Sequence, residues 1–92
     1  MVRFNKTLRL FQQFLERKNL DAEVFTEKLH EFPSGFKPTS IITVRKGPKV
    51  IFTFACTRDK FWIDTVDTEA ETKAIVAELE RDLRRGGIVQ VR

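Results

Sequence analysis

Three segments rich in β-branched and aromatic residues, separated by short turn sequences, constrain the fold of this chain most. They cover residues 40–45, 50–57 and 61–66, and residues of these types favour pleated strands. Gly47-Pro48 and Asp59-Lys60 stand between them. Connections as short as two residues join only antiparallel neighbours. The sequence therefore predicts an antiparallel meander of three strands.

Two-residue turns at both positions fix the pairing register, and the register assigns each strand residue to one of two faces because strand side chains alternate. One face is rich in phenylalanine and is the predicted core. The opposite face is mixed in character and is the predicted outer face. The core face carries Ile41, Val50, Phe52, Phe54, Cys56, Phe61 and Ile63, and the outer face carries Ile42, Val44, Ile51, Thr53, Ala55, Thr57, Trp62, Asp64 and Val66.

An amphipathic helix is predicted at the start of the chain, because Phe4, Leu8 and Phe11 recur at helical spacing. It is predicted to end at Asn19, since asparagine accepts the left-handed conformation that follows many helices. Residues 20–32 fit two interpretations. A strand is favoured, because a strand directly after an asparagine turn begins a sheet compactly, but the same residues also fit a second helix.

The last helix is predicted from both of its ends. Residues 68–71 have the sequence of a capping box, in which Thr68 caps the backbone and Glu71 reaches back to it. Gly86-Gly87 ends the helix, and residues 88–91 are suited to a short edge strand. The predicted fold is a single α+β domain over residues 1–92, in the order α-β-β-β-β-α. Its antiparallel four-stranded sheet, with or without the short fifth C-terminal strand, has both helices packed on one face.

Composition limits the classes of function. The single cysteine, Cys56, rules out an internal disulfide. No apolar run approaches a bilayer span, and the first residues lack the features of a signal peptide, so we expect a soluble cytoplasmic protein. His30 is the only histidine and belongs to no metal-ligand or nucleophile pattern. We therefore expect neither enzyme activity nor a metal or cofactor.

Positive charge is segregated along the chain. Residues 32–58 contain no Asp or Glu, although the whole chain has 13 acids and a net charge of +4. A surface of this kind favours an anionic partner. On the predicted outer face, apolar residues around Trp62 are bordered by basic ones, which suits both stacking on bases and contact with phosphates. The predicted contact residues are Val44, Arg45, Lys46, Lys49, Ile51, Arg58, Lys60 and Trp62.

The leading functional prediction is a small binding module for RNA or single-stranded DNA that uses the basic β-hairpin and the outer sheet face. The alternative is a protein-interaction or regulatory subunit, a homodimer or part of a complex with another protein, whose partner covers the face of Trp62. A third interpretation has the C-terminal segment of the chain itself fold over that face.

The order of the predicted elements resembles that of double-stranded RNA-binding domains, in which strands also lie between two helices. Those domains are expected to begin the last helix with a Lys-Lys-x-Ala-Lys cluster. Here residues 67–73 read Asp-Thr-Glu-Ala-Glu-Thr-Lys. The resemblance is therefore one of element order alone, and it assigns neither the family nor a function.

Overall fold

Two helices and five strands follow one another along the part of the chain that the computed structural model describes, which is residues 5–25, 32–33 and 35–92. The strands form one sheet in chain order, and β5 runs parallel to β4 while the other neighbours are antiparallel. This confirms the predicted α+β layout, and the sheet has five strands and is mixed rather than wholly antiparallel because β5 is parallel to β4. The elements are α1 (Lys6–Lys18), β1 (Asp21–Phe25), β2 (Ser40–Lys46), β3 (Lys49–Cys56), β4 (Lys60–Thr65), α2 (Ala70–Arg85) and β5 (Val89–Gln90).

Asparagines set both ends of α1. The side chain of Asn5 accepts a hydrogen bond from the backbone N–H of Leu8 at 2.9 Å, which satisfies one of the free donors at the helix start. Asn19 has φ 54° and ψ 49°, and its N–H donates back to the carbonyl of Glu16. The predicted helix end at Asn19 is therefore confirmed, and its reason is the left-handed backbone at that residue.

The strand interpretation of the segment after α1 is confirmed for Asp21–Phe25, which pairs with β2. Residues 26–31, which the same prediction covered, lie outside the described residues, and so does His30.

The β2–β3 hairpin has the predicted turn but a different register. Gly47 lies in the turn with φ 62°, a conformation that glycine adopts without strain. Arg45 pairs with Val50 as a two-residue turn requires, but the next pair is Val44 with Phe52. Ile51 is therefore an extra residue in β3, which is a β-bulge.

The bulge exchanges the two faces of β2. Val44 lies opposite Phe52 and is fully buried, and Ile51 at the bulge is 1% exposed. Ile41, predicted for the core face, instead lies opposite Ala55 in a second, smaller cluster. The prediction that Val44 and Ile51 lie on the outer face is wrong, because one inserted residue shifts the alternation of side chains by one position. Ile42, also predicted to face outward, belongs to the core for the same reason.

The turn between β3 and β4 lies one residue earlier than predicted. The N–H of Thr57 donates to the carbonyl of Lys60 at 2.9 Å, so the turn is Arg58–Asp59 rather than Asp59–Lys60. The hydroxyl of Thr57 also accepts from the N–H of Lys60 at 3.1 Å, which closes the turn. Moving a turn by one residue shifts the register by two, so the faces of β4 are as predicted and Trp62 lies opposite Ala55.

The core joins both helices to the phenylalanine-rich strands. The ring of Phe11 in α1 stacks on Phe54 in β3, with centroids 4.0 Å apart and planes at 6°. Cys56, at the end of the same strand, is fully buried, and burial raises the pKa of its thiol to about 12. The buried members of this core are Phe11, Phe14, Leu15, Leu20, Ile42, Val44, Ile51, Phe52, Phe54, Cys56, Phe61, Val76, Leu79, Leu83 and Ile88.

We expect Ile51→Thr to lower the free energy of unfolding by about 1–3 kcal/mol, because the substitution places a hydroxyl in an apolar site. The matched control is Val66→Thr, at a side chain that is 53% exposed, and its effect should stay within about 0.5 kcal/mol. Urea unfolding measures both. Equally small losses in the two variants would show that Ile51 faces solvent and that the bulge is misplaced.

Candidate functional site

Two lysines predicted as contact residues lie against the acidic start of α2. Lys49 Nζ is 2.9 Å from Asp67 Oδ1 and 3.3 Å from Glu69 Oε1. Lys46 pairs with Glu71 in the first turn of the helix. A phosphate that approached these ammonium groups would also approach three carboxylates, so their attraction for an anion is offset.

Arg45, the third basic residue of the hairpin, is also engaged within the chain. Its Nε lies 3.6 Å from Glu23 Oε1 on β1. Its Nη1 donates to the carbonyl of Pro48 at 3.3 Å, while the buried Nε has no hydrogen-bond partner among the described residues. Arg45, Lys46 and Lys49 belong to residues 32–58, which contain no Asp or Glu, so each of them pairs with an acid from another part of the sequence.

Asp67, rather than the predicted capping box, organises the start of α2. Glu69 is the N-cap residue, and its side chain makes no capping hydrogen bond. The Asp67 carboxylate instead accepts from the hydroxyl of Thr72 at 2.5 Å and from the backbone of Glu69. The hydrogen bonds from Thr72 and Lys49 hold the pKa of Asp67 below its ordinary value of 3.8. The same contacts with Asp67 and Glu69 raise the pKa of Lys49.

The β-bulge at Ile51 fixes the position of Asp67. The carbonyl of Ile51 accepts two hydrogen bonds, from the N–H of Val66 at 3.0 Å and from the N–H of Asp67 at 3.1 Å. These bonds hold the segment that leaves β4 beside the start of β3, where Lys49 lies. The pairing of the hairpin lysines therefore depends on the bulged residue.

Three segments meet at the β3–β4 turn, at the end of the sheet opposite the β2–β3 hairpin. The hydroxyl of Thr7, in the first turn of α1, donates to the carbonyl of Arg58 at 2.8 Å. The N–H of Val89, just after α2, donates to the carbonyl of Asp59 at 2.9 Å. The start of α1, the turn and the segment after α2 therefore form one end of the molecule.

Exposed cations lie in this turn, in the segments that meet it, or within a few residues of them in sequence. Within the part of the chain that the structure describes, none of them forms an ion pair. Two of them, Arg58 and Lys60, were predicted as contact residues. Asp59, in the turn itself, is the acid nearest to them in sequence, and its carboxylate accepts a hydrogen bond from the hydroxyl of Thr57. We call the set of cations the basic end. It consists of Lys6, Lys37, Arg58, Lys60, Arg85 and Arg92.

Trp62 lies in an aromatic cluster on the outer face, next to Lys60. Its ring is 5.1 Å from that of Phe32, and Phe32 is 5.9 Å from Phe36, both edge to face. Phe36 is buried, whereas Phe32, Trp62 and Val91 are partly buried. The chain's own residues therefore cover part of this face, as the third interpretation of the sequence expected for the C-terminal segment.

A small pocket lies between the aromatic cluster and the basic end. Gly35, Phe36, Lys60 and Val91 line it, and its volume is about 150 Å³. Sites for drug-sized molecules usually enclose roughly 300–1,000 Å³. The pocket is therefore suited to one small ring or group and not to a large ligand.

Other kinds of site have little support in the described part of the chain. Val66 and Val89 are its exposed large apolar residues, and single exposed apolar residues are ordinary on a protein surface. Residues 5–25, 32–33 and 35–92 contain no cluster of three or more His, Cys, Asp or Glu residues able to hold a metal ion. Neither described helix is long and apolar enough to cross a membrane.

Sequence reasoning named Arg58, Lys60 and Trp62 as contact residues, and that assignment stays a prediction; it did not name Arg85 or Arg92. The only sequence signal for the ion pairs of Lys46 and Lys49 was the cluster of acids at residues 67–71. That cluster indicates that some lysines have acidic partners, but it does not show which lysines they are. No protein-family model matches the chain, and neither the curated proteins nor the solved structures compared with it include a match.

We expect Asp67→Asn to destabilise the fold at neutral pH, and the loss to shrink below pH 3.8, the ordinary pKa of the carboxyl. A carboxylate whose pKa is lowered by folding stabilises the folded state above its unfolded pKa. That contribution disappears as the pH falls through the lowered folded value. Urea unfolding of both proteins over a series of pH values measures the difference.

The control for this substitution is Asp64→Asn. Asp64 is exposed on β4 and forms no ion pair with the described residues. Its replacement should leave the pH dependence of stability close to that of the original protein. A loss in Asp67→Asn that stayed constant down to the most acidic pH would show that the charge of Asp67 does not stabilise the fold.

Proposed function

We propose that this chain is a non-enzymatic nucleic-acid-binding module that contacts phosphates with the basic end. The observation that carries the proposal is the separation of two groups of cations. Lys46 and Lys49 are paired with acids, whereas the exposed cations around Arg58 and Lys60 have no ion pair within the described residues. Unpaired cations attract phosphates most strongly, and binding them releases the counterions that surround a nucleic acid.

The spread of these cations favours a polymeric anion over a small one. They come from six places along the chain: the start of α1, the segment after Phe36, the β3–β4 turn, the start of β4, the end of α2 and residue 92. A site for a single phosphate group requires donors that converge on one point. Cations distributed over several segments suit a partner whose charges are also distributed, as those of a nucleic acid backbone are.

A protein partner on the Trp62 face, the alternative prediction, has less support. Both helices contribute to the core on the side of Phe54, and we infer that they pack there. On the outer face Thr53 and Ala55 are 2% and 0% exposed, so little of the centre of that face is accessible to a partner. Phe36 and Val91 cover part of that outer face. A stable interface buries about 800 Å² on each partner, and the described surface offers no apolar patch of that extent. A second copy would also bring an equally positive basic end.

Two double variants test the proposal, and each of them lacks two positive charges at one end of the molecule. We expect Arg58→Gln with Lys60→Gln to weaken binding to generic RNA and DNA. The log–log salt slope should fall by roughly 0.7 per lost contact with a single strand, or roughly 0.9 with a duplex. Fluorescence anisotropy over a series of salt concentrations measures both quantities.

The matched control is Lys46→Gln with Lys49→Gln, which lowers the net charge by the same amount but at residues that are paired with acids. Its salt slope should stay close to that of the original protein. If the control variant lost as much slope as the variant of the turn, binding would follow net charge alone. If the hairpin variant lost more, the contact surface would be the hairpin.

A further inference from the structure

We propose that the nucleic acid is single-stranded and that one of its bases sits in the pocket between Phe36 and Val91 with a neighbouring phosphate at Lys60. This inference rests on the proposed function, because it assigns the strand state and a base site to the same basic end. Lys60 joins the two parts, since it is an exposed member of the basic end and also lines the pocket.

The chemistry of the pocket suits a base attached to a phosphate. Its lining residues include the apolar Phe36 and Val91, and Lys60 supplies one positive charge. A purely apolar ligand would leave that charge unused, while a free anion would gain nothing from Phe36 and Val91. A nucleotide within a strand uses both, because its base is a flat ring system and its phosphates remain outside.

Gly35 lines the pocket with backbone atoms alone. Its φ is 83°, a conformation that residues with side chains rarely adopt, and a Cβ placed there would have no atom within 4 Å. The backbone of Gly35 is therefore open to the solvent at the edge of the pocket. A volume of about 150 Å³ matches one ring system and not a stack of several.

The neighbouring aromatic cluster favours a single strand over a duplex. Phe32 and Trp62 are partly buried beside the pocket. Bases in a single strand expose their faces to such rings, whereas bases in a duplex are stacked on one another. Duplex recognition usually places a helix or a two-stranded ribbon in a groove. The β2–β3 ribbon of this chain has its lysines paired with acids.

The test compares three probes of equal length by fluorescence anisotropy: oligodeoxythymidine, its duplex with oligodeoxyadenosine, and the same backbone carrying abasic residues in place of the bases. The abasic strand keeps every phosphate of the first probe. We expect oligodeoxythymidine to bind about fivefold or more tightly than the abasic strand, since one stacked base contributes about 1 kcal/mol or more. It should also bind more tightly than the duplex.

Two further measurements test whether a base lies beside Trp62. Trp62 is the only tryptophan of the chain, so quenching of its emission by oligodeoxythymidine but not by the abasic strand reports a base beside it. Trp62→Leu should reduce the preference for oligodeoxythymidine over the abasic strand, while Val66→Leu, at an exposed site beyond β4, should keep that preference. If Trp62→Leu fails to fold, the emission of the original protein decides the point.

The outcomes separate this inference from the proposed function. Equal affinity for oligodeoxythymidine and the abasic strand, without quenching of Trp62, would overturn the base site and leave phosphate binding intact. Tighter binding of the duplex would overturn the single-strand assignment in the same way. Failure to bind any of the three probes would overturn both the inference and the proposed function.

Discussion

The extra residue in β3 determines the arrangement of the whole molecule. Because Ile51 is inserted into the strand, Val44 lies opposite Phe52 and joins the buried cluster that contains residues of both helices. The carbonyl of Ile51 then accepts the N–H groups of Val66 and Asp67, which fixes the path from β4 into α2. Asp67 is thereby placed beside Lys49, so a single bulge connects the packing of the core to the electrostatics of the surface.

These contacts give the molecule two electrically different ends. At the β2–β3 hairpin, lysines and the acids at the start of α2 offset one another. At the β3–β4 turn, the first turn of α1 and the segment after α2 meet, and the exposed cations of the basic end lie in these segments or close to them in sequence. The charge therefore varies along the direction of β3. Under the proposed function, this difference would orient an approaching polyanion toward the basic end before contact.

Local sequence signals predicted the elements well, because each depends on neighbouring residues. Asn19 ends α1, Gly47 permits its turn and the alternation of β4 places Trp62 on the outer face. The β-bulge was missed because the residue pattern of β3 is compatible with two arrangements. Ile51 can pair with a residue of β2, or it can be inserted as an extra residue. The ion pairs of Lys46 and Lys49 were missed because they join residues about 20 positions or more apart, and only the folded chain brings those residues together.

The burial of Cys56 makes this residue a reporter of how often the sheet opens. It is the only cysteine of the chain and it is fully buried, and its thiol stays protonated because burial raises its pKa to about 12. A thiolate is the form that reacts with electrophiles, so reaction at Cys56 requires the end of β3 to separate from its neighbours. The rate of its chemical labelling therefore measures the local opening of the central strand, the strand that connects the two ends of the molecule.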